Sequence, residues 1–177
     1  MGEIIQMAQY KTERGARMSF QPWCRFFNET FGAQTRLGDL SAPTLCRLAQ
    51  PGDTASALIY DLILGLLGFG EHDTFDTLGR TIQMQVIDIH LFISDQIRFE
   101  MMYRLGWLSR LPVDQYPIAA MVSNFSEVKV FCQHYPPVLA STHPQHAEYT
   151  ALVDRDREVL IRRLLPAALE AFTQAQR

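Results

Sequence analysis

The sequence predicts an all-α, bundle-like single domain of five to seven helices around one long central helix, from about residue 74 to 105. Three observations carry that prediction. Helix start and stop signals recur along the chain. Sustained period-2 alternation between turn pairs such as Asn-Gly or Asp-Gly is missing. With 177 residues, 47% of them apolar, the chain suits one domain with a sizeable core.

The first 20 residues are expected to form a mobile N-terminal segment ahead of a helical domain over 21–177. Ile4, Ile5, Met7 and Ala8 could begin a helix, but Lys11-Thr12-Glu13-Arg14-Gly15 is polar. A helix is expected from Pro22 to Phe31, closed by Gly32. Its aromatics Trp23, Phe26, Phe27 and Phe31 recur at helical spacing and make one apolar face. Ser41 is a cap with Pro43 in the first turn of a short helix that ends before Pro51-Gly52. Asp53 caps the next, Thr54 to about Leu67, which stops at Gly68 and Gly70 and has little polar face.

Asp73 is the expected cap of the long helix, and Gly106 its stop. About 32 residues would span roughly 48 Å, whereas a chain of this length has a radius of gyration near ~16 Å. A bend or break is therefore expected, with Gly79 the obvious place. Asp114 should cap a helix to about Gln133, ended by Pro136-Pro137. Thr142 should cap a last helix with an apolar stripe from Tyr149 to Phe172 and a kink at Pro166.

Sixteen basic against nineteen acidic residues give a net charge of -3, which argues against a nucleic-acid binder or a protein drawn to anionic membranes. The small basic group Lys11, Arg14 and Arg17, with Tyr10 and Phe20, reads as a solvated tail. Cys24, Cys46 and Cys132 are odd in number and widely spaced, so a reducing cytoplasm fits better than a disulfide framework. No signal peptide is visible. The most apolar run, Ala57 to Phe69, is too short to span a membrane and is broken by Asp61 and Gly65.

The long helix holds the main candidates for chemistry. At 100° per residue, Asp88 and Asp95 fall within about 20° of each other and about 10.5 Å apart along the axis. They share a stripe with Met84, Leu91, Phe92, Phe99 and Met102. Carboxylates on such a stripe either desolvate or find cationic partners, so Asp88, Asp95 and Arg98 are read as pocket residues or members of a buried ion pair. The arginines weighed as partners are Arg98, Arg104, Arg25, Arg47 and Arg80. His90 lies on nearly the opposite side and reads as a hydrogen-bonded core histidine.

Glu71-His72-Asp73 spells the His-Asp pair of metal phosphohydrolases, but no histidine precedes His72 to complete that pattern. His143 and His146 have a spacing that can chelate a metal, with no third ligand in place, and they read as surface histidines. No phosphate loop, dinucleotide fingerprint or nucleophile elbow occurs. No catalytic residue and no cofactor is expected.

Three functions fit. The leading one is self-association, as a homodimer, through the long helix or the Trp23, Phe26 and Phe27 face. The second is a small-molecule or effector-binding module with a pocket beside the long helix. The third is a metal-dependent hydrolase.

Overall fold

The computed structural model describes the backbone from Gly2 to Arg177, and the side chains from Lys11 onward except Arg110 and Pro112. The side chains of Ile4, Ile5, Met7, Ala8 and Tyr10 lie outside the described residues. The elements run α1 (Gly2–Ser19), α2 (Gln21–Phe27), a 3₁₀ turn (Leu37–Asp39), α3 (Ala42–Ala49), α4 (Asp53–Leu67), a 3₁₀ turn (His72–Thr77) and α5 (Arg80–Arg104). Then come β1 (Leu108–Arg110), a 3₁₀ turn (Pro112–Gln115), α6 (Ile118–Ser123), α7 (Phe125–His134), β2 (Val138–Leu139), α8 (His146–Ala151) and α9 (Asp154–Ala175). The class is all-α and bundle-like. α5 is the central helix and packs against α3, α4 and α9. No helix among the described residues is long and apolar enough to cross a membrane.

The long helix starts later than its pattern suggested. Gly79 is extended at φ -60 and ψ 147 and occupies the cap position, with Gln83 N–H donating to the Gly79 carbonyl at 3.0 Å. Residues 72–77 form a separate turn, so Asp73 caps nothing. The break at Gly79 shortens the helix to 25 residues, or roughly 37 Å. At its other end Gly106, with φ 75, takes the left-handed conformation that an L side chain rarely adopts. Trp107 N–H donates to the Met102 carbonyl and Gly106 N–H to the Tyr103 carbonyl, the Schellman arrangement that satisfies the last carbonyls of a helix.

Other boundaries moved for identifiable reasons. α2 ends at Phe27 because Asn28 adopts the left-handed conformation at φ 54, a role asparagine shares with glycine. The segment expected as one helix over 114–133 is a turn and two helices. Tyr116 is extended before Pro117, as a residue preceding proline prefers, and α6 starts after that proline. The last helix is also two. α8 begins at His146, well after Thr142, and Leu152 and Val153 are extended before α9 restarts. Asp154 and Asp156 in the first turn of α9 complement the helix dipole. α9 continues through Pro166, whose missing N–H deprives the Arg162 carbonyl of its usual donor.

These divisions give nine α-helices among the described residues. They leave room for one short antiparallel pair, Leu108 with Leu139 and Arg110 with Val138. Strands had not been expected there, and segments of three and two residues are too short to show alternation.

α1 and α4 approach closely at Gly65, where a Cβ would meet the Ser19 Cα at 3.1 Å. A side chain at Gly65 would make α1 give way by a few tenths of an ångström. Beside it Phe20, Trp23 and Phe31 are fully or almost fully buried and pack edge to face or tilted at centroid distances of 5.3 to 5.8 Å. Trp23 Nε1–H donates to the Leu58 carbonyl at 2.7 Å. Of the expected docking face of Trp23, Phe26 and Phe27, that bond takes Trp23 inside. Trp23 is 0% exposed and turned into the chain's own core, Phe27 is half-buried, and Phe26 alone is exposed, at 49%.

Candidate functional site

Along the outer side of α5, the stripe of Asp88, Leu91, Phe92, Asp95 and Phe99 forms the floor of a cleft of about 370 Å³. α7 supplies Lys129, Cys132 and Gln133 on one side. Pro136 and Pro137 close one end, and α9 supplies Glu158 and Arg162 on the other side. The heptad spacing of the two aspartates puts both on this floor. Arg98 does not line the cleft. It lies close enough to His90 to act on it electrostatically.

The charges in the cleft are unevenly matched. Arg162 reaches Asp95 at 2.8 Å and Glu158 at 3.1 Å, and its guanidinium lies 5.9 Å from the centre of the Phe99 ring. The partner of Asp95 thus comes from α9, and is none of the arginines that the sequence suggested. Its own helix gave the reason to overlook it, because Glu158 and Arg162 form the i,i+4 pair of an ordinary solvated face. Asp88 is exposed and has no ion-pair partner among the described residues. Lys129 stands 5.3 Å above the Phe125 ring, which packs edge-on against Phe92. Two carboxylates bind one guanidinium, and a third carboxylate stays unmatched.

Cys132 faces the cleft as a thiol, since burial pushes its pKa up to about 11. A thiolate nucleophile is therefore not what this position offers.

The histidines are engaged elsewhere. His90 Nε2 lies 3.2 Å from Ser56 Oγ and 3.3 Å from the Ser56 carbonyl, and its ring stacks on Tyr60 at 4.1 Å. Burial lowers its pKa, as expected for a core histidine. Asp61, itself buried, accepts the His72 backbone N–H and lies 2.7 Å from Nδ1 of the same residue. The Asp61 bond raises the His72 pKa. Glu71 turns outward to Arg25 at 3.4 Å. His72 thus holds the turn before α5 onto α4. His143 packs edge-on against Trp107 at 5.0 Å, and its Nδ1 accepts the Gln145 N–H. His146 lies beside Tyr149. No group of three or more His, Cys, Asp or Glu among the described residues is arranged to hold a metal ion.

Comparison with known proteins finds no family model, no curated protein and no solved structure that matches this chain.

Proposed function

We propose that the chain is a small-molecule-binding helical module, and that its ligand lies in the α5/α7/α9 cleft with an apolar body and a cationic group. One observation carries this reading: Asp88 is an unmatched carboxylate at the edge of a floor made of Leu91, Phe92 and Phe99. Ligand sites of this kind combine apolar walls with a few fixing polar groups. An incoming anion would meet three carboxylates, Asp88, Asp95 and Glu158, against Lys129 and an Arg162 already committed to two of them. An ammonium group could pair with Asp88 and lie near the aromatic faces.

A thermal-shift series of alkyl and aryl amines against carboxylates of the same skeleton tests it. An amine at about a hundredfold excess over its Kd should stabilise the protein by about 2.7 kcal/mol, a rise of about 5–10 °C in a domain of this size. Asp88→Asn should remove most of that rise and leave the ligand-free Tm unchanged. Equal shifts with amines and carboxylates, or an undiminished shift in the variant, would overturn the assignment.

Self-association is the second reading. Met84 and Leu91 lie seven residues apart on the same stripe of α5 and are 53% and 59% exposed. On this reading sedimentation at micromolar concentration gives a dimer that Leu91→Glu dissociates, and a sharp monomer across that range counts against it. Under either reading the three free cysteines suit the reducing cytoplasm, and the net charge of -3 gives nucleic acid no part.

A further inference from the structure

At the end of α5, away from the cleft, two carboxyl groups meet with no donor between them. Glu100 Oε2 and Asp114 Oδ1 are both buried and neither has a hydrogen-bond partner. The Asp114 carboxyl lies within hydrogen-bonding reach of Glu100. Glu100 is among the most deeply buried charged residues, its side chain 3% exposed, and Arg104 Nε–H donates to its other oxygen at 2.7 Å. Arg104 Nη2 is directed elsewhere, to the Leu37 carbonyl at 3.0 Å and the Gly38 carbonyl at 3.2 Å. Gly38 also covers Asp114, since a Cβ there would lie 3.8 Å from Oδ1.

An ionised carboxylate only accepts hydrogen bonds. If both groups were ionised, two buried acceptors would face each other, and their partner charges would be Arg104 on α5 and Arg36 before the 37–39 turn. One proton removes the conflict and creates a short, charge-assisted O–H···O⁻ bond. We propose that Glu100 and Asp114 share one proton, and that this bond is a pH-sensitive latch fastening the 112–115 turn to the end of α5.

The direction of the effect follows from linkage. Burial and the neighbouring Glu100 carboxylate raise the Asp114 pKa from 3.8 to about 6, while Arg104 and Arg36 oppose that rise. The folded chain holds this proton more tightly than the unfolded chain does. The latch therefore contributes its full stability below the unfolded value, and loses it as pH rises from about 4 through about 6.

The test compares Tm against pH for the wild type and Asp114→Asn, between about pH 4.5 and about pH 8. The asparagine amide donates to Glu100 at every pH and has no proton to lose. The wild-type Tm should fall relative to the variant by several degrees across that interval, and the two curves should converge at the acid end. Parallel curves overturn the latch. Carbon-13 NMR of the wild-type Asp114 carboxyl is independent of any variant: titration near pH 6 supports the latch, and titration at the ordinary aspartate value sinks it. Calcium chloride added at about pH 7.5 separates proton from cation, because stabilisation of the wild type but not of Asp114→Asn would make the pair a cation ligand instead.

Discussion

Replacing Trp23 with alanine is expected to cost about 3–5 kcal/mol of stability, the range for deleting a large aromatic from a core. Three effects add at this position. The indole is 0% exposed, so its whole apolar area returns to water on unfolding. It makes edge-to-face contacts with Phe20, Phe27 and Phe31, each of which would face a void. Its Nε1–H bond to the Leu58 carbonyl is the polar tie between α2 and α4. At about 2–4 °C per kcal/mol for a domain of this size, the Tm should fall by at least about 6 °C. Trp23→Phe keeps an aromatic ring but removes the donor, and should lose only about 1–2 kcal/mol. Urea melts of the two variants separate the packing and hydrogen-bond contributions. Equal losses in both would mean that the Leu58 bond, and not the ring volume, dominates.

The second large effect belongs to Arg104. Removing one partner of a buried ion pair typically costs about 3–5 kcal/mol, because the remaining charge is left uncompensated. Arg104→Met would strand Glu100 and also remove the donor to the Leu37 and Gly38 carbonyls, which holds the 37–39 turn against α5. Adding Glu100→Gln removes the stranded charge, so the double variant should be more stable than Arg104→Met alone. Chemical denaturation at neutral pH checks the order. A double variant no more stable than the single one would show that the carbonyl bonds, rather than the ion pair, set the cost.

Most helix ends that the sequence marked correctly have their determinants within a few residues. Ser41 Oγ accepts the Thr44 N–H, and Gly68 and Gly106 adopt the positive φ that ends α4 and α5. The missed interruptions are of two kinds. The extended conformation at Tyr116 was legible, because Pro117 follows it. The break at Leu152 and Val153 was not, since two ordinary apolar residues carry no signal of their own. The site divides in the same way. A helical wheel puts Asp88 and Asp95 on one stripe, and they share a floor. Their surroundings depend on which face of α9 meets α5, and Arg162 is 67 positions away from Asp95 along the chain. The Asp61–His72 and Glu100–Asp114 contacts likewise join separate elements, so neither residue's neighbours in sequence could announce them.

The two-stranded pair also bears on how the bundle closes. Some 50 residues separate the end of α5 from the start of α9, two helices that pack directly together. Pairing Leu108 with Leu139 cuts that path to about 20 residues, because α6 and α7 then hang from the paired strands as a side loop. With loop-closure entropy growing as the logarithm of length, the shortcut lowers the cost of bringing α9 onto α5 by a little under about 1 kcal/mol. Five residues of strand thereby ease the longest-range helix packing on which the cleft depends.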